Sequence, residues 1–283
     1  MKKLTMLACL FAAVVSYAAI PQSITIESGN VRVRLDGKKR WNINKIEWKN
    51  RLFGIDEGGA HYGTAFQPQG SKFFIGSGHD ESGEGEKFTS LKILVDGKEV
   101  TPVEKTVIKG KKVQVEKHST ITDLNVITKF TIENDTILET TEITAAKPVK
   151  INFLYFFMHP WSTRFNKFHA IGADGSKLDL TFKSDGSFPN RKFMPSAAWY
   201  DTKSGLGVAS VIKNVKGLKK PMRFLWDRTS YRKDYLCDYA HSTFPAGNVV
   251  IYECKTGFFQ QMDQTKWIAD AEALFNKLNP AAR

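Results

Sequence analysis

The chain has 283 residues, of which 42% are hydrophobic and 25% charged, and it carries a formal net charge of +12 at pH 7. Its basic residues are scattered, many of them beside glycine, and no recognisable binding module is present, which argues against a nucleic-acid-binding protein. A nucleotide-binding loop, a serine nucleophile elbow and a zinc-protease motif are also missing from the sequence, which excludes the commonest designs of NTPases, serine hydrolases and metalloproteases.

The first residues have the pattern of a signal peptide. A basic stretch at 1–3 is followed by an apolar run to Val15 and by small residues around Ala18. This run is shorter than the roughly 18 to 20 apolar residues that a membrane span needs. The sequence therefore predicts a signal peptide at 1–19, no membrane span, and export of a single domain, 20–283, to the periplasm or the extracellular space.

Cleavage of this leader removes Cys9 and leaves two cysteines, Cys237 and Cys254. In an oxidising compartment they form either one disulfide or two separate buried thiols. The choice stays open, because the sequence does not give the distance between their Cα atoms. A zinc site needs about four ligands, and no further cysteine or histidine lies at the short sequence spacing that zinc sites have, so the two cysteines do not indicate one. The sequence predicts no metal and no cofactor.

Strand patterns dominate from residue 23 onward. Residues 23–27 and 30–35 alternate apolar and polar side chains around a Ser-Gly turn, and 121–133 and 136–144 flank Asn134–Asp135, so each pair predicts a hairpin. The same criteria predict further strands at 41–48, 88–95, 103–108, 112–117, 149–157, 178–182, 197–200, 207–213, 222–226 and 249–257.

One helix is predicted, at the C-terminus. Apolar residues recur at helical spacing from Trp267 to Leu278, Asp263 is placed to cap the helix, and Asn279–Pro280 ends it. Its apolar stripe is expected to pack across a sheet. So many strands with so little helix predict an all-β fold, a large antiparallel β-sandwich (supersandwich) with a short C-terminal helix.

The segment 153–168 begins as an apolar strand and ends in a group of polar and aromatic side chains that includes His159, Trp161 and Arg164. An indole stacks on the C–H face of a pyranose, and an imidazole and a guanidinium bond to its hydroxyl groups, so this group predicts a sugar site. The alternative is that Trp161 plugs one end of the sandwich and His159 bonds to a neighbouring carbonyl.

Two glycine-rich loops, at 58–63 and 76–86, carry His61 and His79 and are expected to place these imidazoles beside a ligand. The acidic residues of the second loop either offer carboxylates to a hard cation such as Ca²⁺ or are solvated surface charges.

A third group follows the strand predicted at 222–226. Alternation along a strand places Trp226 and Arg228 on one face, and they are followed by Tyr231, Arg232, Lys233 and Tyr235. An aromatic ring beside a guanidinium suits a saccharide carboxylate or sulfate. The alternative is an aromatic core strand with a charged outer face.

Several of these segments together resemble the galactose mutarotase-like superfamily. They are 24–27, 31–35, 46–48, the His159–Pro160–Trp161 turn after an apolar strand, and 244–252, with a Pro-x-Gly turn before the last long strand. The resemblance implies a β-supersandwich, the fold of aldose epimerases, several polysaccharide lyases and the sugar-binding domains of some glycoside hydrolases.

The resemblance also implies roles for individual residues. His159 matches the histidine that protonates the ring oxygen of the sugar, and a carboxylate late in the chain takes the anomeric proton, because ring opening transfers one proton on and another off. The candidates for this carboxylate include Glu253 and Asp227, and neither lies in the superfamily's Glu-x-Gln context.

Together these patterns predict a secreted carbohydrate-binding or carbohydrate-processing protein whose sugar lies in a concave sheet among aromatic, histidine and arginine side chains. Its partner is a saccharide or polysaccharide, with an anionic polymer as an open option; the oligomeric state is not predicted. One alternative is a polysaccharide lyase acting on a uronic-acid polymer, in which Arg228 or Arg164 neutralises the developing charge and Tyr231 or Tyr235 donates a proton. The other is a non-catalytic structural or adhesive envelope protein.

Overall fold

The computed structural model describes residues 21–55, 60–79, 85–102 and 107–279. The predicted leader at 1–19 lies outside the described residues. So do the acidic residues between 80 and 84 and the first part of the strand predicted at 103–108.

Within these ranges the chain forms 21 strands, a 3-10 helix at Gly37–Lys39 and an α-helix, α1, at Trp267–Leu278. In chain order the strands are β1 (Ser23–Ser28), β2 (Val31–Asp36), β3 (Asn42–Trp48), β4 (Arg51–Gly54), β5 (Ala65–Pro68), β6 (Ile75–Gly76), β7 (Lys87–Val95), β8 (Lys98–Glu99), β9 (Val107–Lys109), β10 (Lys112–Ile121), β11 (Leu124–Glu133), β12 (Thr136–Ala145), β13 (Val149–Trp161), β14 (Lys167–Ile171), β15 (Lys177–Thr181), β16 (Ser196–Asp201), β17 (Leu206–Lys216), β18 (Met222–Asp227), β19 (Arg232–Asp238), β20 (Ser242–Phe244) and β21 (Val249–Gln260).

The strands form two large sheets. The first has 11 strands in the order β18-β19-β13-β4-β3-β2-β1-β9, with β5 and β20 paired to β13 and β6 paired to β5. The second has 10 strands in the order β15-β14-β16-β17-β21-β12-β11-β10-β7-β8. Every second residue of β11 and β12 is buried, which is the pattern of strands with one face on a core. The predicted all-β sandwich is confirmed.

Both predicted hairpins are present. β1 pairs antiparallel with β2, and β11 with β12 across Asn134 and Asp135, whose positive φ values of 50° and 57° suit a two-residue hairpin turn. The strand predicted at 121–133 is wrong at its start, because Ile121 ends β10 and a turn at Thr122, with a φ of 52°, precedes β11. Neither glycine nor proline marks this turn in the sequence.

The N-cap of the C-terminal helix is Lys266, so the prediction that Asp263 caps the helix is wrong. The Asp263 carboxylate instead accepts hydrogen bonds from the backbone N–H and the hydroxyl of Thr265, at 3.0 and 2.6 Å, and stabilises the turn before the helix. The apolar stripe packs on the second sheet, where Trp267 stacks on Tyr200 at 4.9 Å between ring centroids, as predicted. No helix within the described residues is long and apolar enough to cross a membrane.

The two cysteines are separate thiols. Cys237 is buried in β19 of the first sheet and Cys254 in β21 of the second. Burial raises the pKa of Cys237 to about 12 and also raises the pKa of Cys254, so both thiols stay protonated and unreactive.

An ion pair is buried between the two sheets beneath β18 and β19. The Arg223 guanidinium donates from Nε and Nη2 to the two carboxylate oxygens of Asp234, at 2.8 and 2.7 Å, and both side chains are at most 1% exposed. Its other N–H groups bond to the Ser210 hydroxyl, in the second sheet, and to the carbonyls of Met194 and Pro195. All five N–H groups of the guanidinium therefore have partners, the condition under which a buried ion pair is tolerated.

We expect Arg223→Met to lower the free energy of unfolding by about 3 to 5 kcal/mol, because Asp234 is left buried without its cation. The double variant Arg223→Met, Asp234→Leu should recover much of this loss, since it removes both charges. Urea unfolding followed by circular dichroism measures the three free energies. Arg32→Met, which removes a cation whose side chain is 46% exposed, is the control. If the single and double variants lose the same free energy of unfolding, the unpaired charge of Asp234 is not the cause of the loss.

Candidate functional site

The pairing of β18 with β19 sorts their side chains onto two faces. Phe224 lies opposite Tyr235 and Trp226 opposite Lys233. Because side chains alternate along a strand, Arg223 points into the sandwich and these four side chains point to the outer face, which is the face turned away from the second sheet. The outer face of the first sheet thus carries aromatic rings and a lysine.

A connected group of aromatic side chains covers this part of the outer face. Phe74 stacks on Tyr155 at 5.0 Å between ring centroids, and Tyr155 in turn contacts Tyr235 at 4.7 Å and Phe224 at 6.4 Å. We call the group the aromatic face; it consists of Phe74, Tyr155, Phe188, Phe224, Trp226, Tyr231 and Tyr235. Tyr155, Phe224 and Trp226 are half-buried and Phe188 is 37% exposed, so the group presents apolar surface to solvent.

Cations lie against these rings. The Arg228 guanidinium lies over the Trp226 ring at 4.4 Å and 5.9 Å from the Tyr231 ring, so Trp226 and Arg228 share one face, as strand alternation predicts. Lys233 lies 5.5 Å from the Tyr231 ring and 5.6 Å from the Tyr235 ring, and its Nζ donates a hydrogen bond to the His61 carbonyl at 2.6 Å. The aromatic face therefore combines apolar rings with positive charge.

Asp227 holds the loop that brings Phe188 onto Trp226. Its carboxylate accepts hydrogen bonds from the backbone N–H groups of Lys183 and Ser184, at 2.6 and 2.9 Å, and pairs with Arg232 at 2.6 Å. Phe188 stacks on Trp226 at 5.1 Å between ring centroids. Asp227 is 2% exposed, so the structure gives this predicted catalytic residue a positioning role within the loop.

His61 and His79 lie together at the other end of the aromatic face. Their rings are 5.0 Å apart, and the His79 ring is 5.6 Å from Phe74. Burial, together with the positive charge of Lys233, lowers the pKa of His61 from 6.5 to about 3. The His61 imidazole is therefore neutral near neutral pH, and it can donate and accept hydrogen bonds.

A buried polar network anchors the chain next to His79. The Glu86 carboxylate accepts hydrogen bonds from the Ser77 and Ser119 hydroxyls, at 2.7 and 2.6 Å, from Asn42 Nδ2 at 2.8 Å and from Lys117 Nζ at 2.6 Å. Burial raises the pKa of Glu86, but Lys117 and the hydroxyl donors outweigh burial, and the net pKa is lowered. Because each carboxylate oxygen already has two donors, Glu86 is not placed to bind Ca²⁺.

His159 and Trp161 lie in the core and not on the outer face. His159 is 4% exposed, and its Nε2 is 2.9 Å from the carboxylate of Glu139, in β12 of the second sheet. Trp161 is 0% exposed and contacts His159 and Trp199. The alternative in which Trp161 fills the sandwich is the arrangement present, except that His159 bonds to a carboxylate and not to a carbonyl.

Glu253 and Arg164 also lie apart from the aromatic face. Glu253 alternates with the buried Tyr252 and Cys254 of β21, so it points outward from the second sheet and does not meet His159. Arg164 pairs with Asp201 at 3.1 Å beyond the end of β13. Of the predicted site residues, the structure therefore brings together Trp226, Arg228, Tyr231, His61 and His79. Asp227 anchors the neighbouring loop, and the others lie apart from the aromatic face.

The sequence analysis missed three members of the aromatic face: Phe74, Tyr155 and Phe188. It grouped Lys233 and Tyr235 with Trp226 and Arg228, but it did not predict the strand that carries them. The period-two spacing of Tyr231, Lys233 and Tyr235 was a usable signal for a strand with one aromatic and cationic face. Tyr155 had no such signal, because it lies within a continuous apolar run.

The neutral state of His61 predicts a measurable pH dependence. In the unfolded chain the His61 imidazole binds a proton below about pH 6.5, whereas in the folded protein it stays neutral down to about pH 3. The free energy of unfolding therefore decreases as the pH falls through this window. We expect His61→Gln to lose less free energy of unfolding between about pH 7 and about pH 5 than the parent protein does. Urea unfolding at both pH values measures the difference, with the exposed His241→Gln as control; identical losses in His61→Gln and the parent would contradict the assignment.

Comparison with known proteins identifies the fold. No family model matches the sequence, and no curated protein matches it significantly. A structure from Synechocystis sp. PCC 6803 is 8% identical, with a TM-score of 0.54 over 85% of this chain and 96% of that chain. A galactose mutarotase related enzyme from Lactobacillus acidophilus is 7% identical, with a TM-score of 0.51 over 85% of this chain and 98% of that chain. A variant of the GH36 α-galactosidase AgaA from Geobacillus stearothermophilus, in complex with stachyose, is 9% identical, with a TM-score of 0.51 over 84% of this chain and 41% of that chain. The chain therefore has the galactose mutarotase-like fold that its motifs predict.

Proposed function

We propose that this protein binds carbohydrate on the aromatic face. The observation that carries the proposal is the grouping of three half-buried aromatic side chains, Tyr155, Phe224 and Trp226, on the outer face of one sheet. A contiguous apolar patch rimmed by polar residues is typical of a binding site on a protein surface. The proposal is also supported by the fold, which this chain shares with a solved α-galactosidase in complex with stachyose.

The chemistry of the aromatic face matches a sugar ring. The C–H faces of a pyranose are apolar and its rim is polar, so a pyranose suits aromatic rings flanked by hydrogen-bonding groups. Here Arg228 supplies N–H donors at the Trp226 end, and the His61 and His79 imidazoles lie at the Phe74 end. A saccharide chain lying along the face would meet apolar surface in the middle and polar groups at both ends.

We expect Phe224→Ala and Trp226→Ala each to weaken glycan binding about tenfold or more, because buried aromatic anchors dominate binding energy. A screen of the parent against neutral and uronic-acid oligosaccharides identifies the ligand, and calorimetric titration of the variants measures the loss. The control is Val215→Ala, which trims a side chain that is 54% exposed on the second sheet. Full affinity in both aromatic variants would contradict binding at this face, and a screen without any ligand would favour a structural envelope protein.

A polysaccharide lyase is a second candidate, favoured by the contact of Arg228 with Tyr231. In this reaction a base removes the proton next to a uronate carboxylate, a cation stabilises the developing charge, and an acid protonates the leaving oxygen. Burial raises the pKa of Tyr231 in spite of the opposing charge of Arg228, so its hydroxyl keeps the proton that a donor needs. Arg228 would supply the cation.

The lyase candidate predicts that a uronic-acid polymer is cleaved with a rise in the ultraviolet absorbance of the unsaturated product. Tyr231→Phe should then lower this rate about 100-fold or more, because the proton donor is lost, while polymer binding persists. Tyr235→Phe, on the same strand face, is the matched control. No absorbance rise with any uronic-acid polymer, or an equal loss in both variants, would rule out this role for Tyr231.

We also propose that the protein is exported, on the support of the leader pattern at 1–19. Fractionation of expressing cells, with N-terminal sequencing of the exported protein, tests this: a new N-terminus near residue 20 outside the cytoplasm is expected. An intact Met1 on a cytoplasmic protein would contradict it.

A further inference from the structure

A cavity of about 820 Å³ lies at one end of the sandwich and shares no residue with the aromatic face. Four segments meet there: the β3–β4 turn, the chain after β13, the β16–β17 turn and the end of β21. We call it the end cavity, and its charged lining residues are Lys49, Arg51, Arg164, Asp201 and Lys203. Its volume lies within the range of small-molecule sites and is far larger than an inorganic oxyanion.

The charge of the end cavity is unbalanced. Asp201 is its one carboxylate among the described lining residues, and Arg164 pairs with it at 3.1 Å. Lys49, Arg51 and Lys203 form no ion pair with a described residue; Lys49 Nζ makes one hydrogen bond, at 3.4 Å, to the Gln260 side chain. Arg51 and Lys203 therefore face the cavity without an acidic partner among the described residues, and Lys49, whose charge also acts on Asp135, adds to an excess of positive charge that attracts anions.

Arg164 is the built part of the site. Its Nε donates to Asp201, one N–H of Nη1 donates to the Leu52 carbonyl at 3.3 Å, and one N–H of Nη2 donates to the Ser204 hydroxyl at 3.1 Å. Asp201 is held in turn by the Ser204 hydroxyl at 2.6 Å and the Lys203 N–H at 3.0 Å. A guanidinium has five N–H groups, so two remain, one on each terminal nitrogen of a side chain that is 26% exposed. These two N–H groups can donate charge-assisted hydrogen bonds to the oxygens of a carboxylate or sulfate.

We propose that the end cavity binds a sugar-sized organic anion through its carboxylate or sulfate group. Arg164 is the fixed recognition group, and Arg51, Lys203 and Lys49 supply attraction around it. The rest of the volume accommodates the body of the ligand against Leu52, Ser162 and Asn166. This site is independent of the proposed function and stands whether or not the aromatic face binds a glycan.

The test is a calorimetric titration of the full chain with glucuronic acid and glucose 6-sulfate, with uncharged glucose as the ligand control. We expect the charged sugars to bind, the affinity to fall as salt rises, and Arg51→Gln and Lys203→Gln each to weaken binding about tenfold. These two side chains make no ion pair that the fold depends on, so the variants should fold normally. Lys98→Gln, which removes an exposed lysine elsewhere in the fold, should bind like the parent, and so should Trp226→Ala, which alters only the aromatic face.

Three results would overturn the proposal. The first is that neither charged sugar binds. The second is that Lys98→Gln weakens binding as much as Arg51→Gln does, which would mean that only net charge matters. The third is that inorganic sulfate binds as tightly as glucose 6-sulfate, which would mean that the cavity takes a bare oxyanion and not a sugar-sized ligand.

Discussion

The buried pair of Arg223 and Asp234 is the interaction on which the aromatic face depends. It joins β18 to β19 and, through the Ser210 hydroxyl, joins both strands to the second sheet. A one-residue slip of either strand would carry its charge out of this network and its aromatic side chains into the core. A buried charge without its partner is strongly destabilising, so this ion pair fixes the register that places Trp226 and Tyr235 on the outer face.

Two further polar anchors hold the loops around that face. Asp227 fixes the loop that brings Phe188 onto Trp226, and Glu86 fixes the chain beside His79. Each anchor is buried and accepts several hydrogen bonds, so neither loop depends on ligand to hold its position. A preformed face of this kind loses less conformational entropy when it binds than a face that must order itself.

The fold was more predictable from the sequence than the site. Alternating strands, the Asn134–Asp135 turn and the spacing of Trp267 to Leu278 are local patterns, and local patterns are enough for hairpins and a helix. β19 escaped prediction because Arg232, Lys233 and Asp234 give it the composition of a solvated loop, whereas all of its residues are buried. Their burial depends on partners distant in the chain, such as Phe165 and His61, which no local pattern contains.

The site was predicted in part for the same reason. Trp226 and Arg228 were placed correctly on one face, because strand alternation settles their relation. His159 and Trp161 were expected beside a sugar, but the imidazole bonds through Nε2 to Glu139 in the opposite sheet and the indole fills the core. A histidine near a strand end has the same local pattern in both situations, and only the partner across the sandwich distinguishes them.

The most direct test of carbohydrate binding on the aromatic face uses the protein's own fluorescence. Of its six tryptophans only Trp226 is not buried, so a soluble quencher such as acrylamide reports mainly on this residue. A saturating oligosaccharide ligand, identified by an independent binding screen, should protect Trp226 from the quencher and shift its emission to shorter wavelength. Saturation that leaves both the quenching and the emission unchanged would place the sugar elsewhere and contradict the central claim.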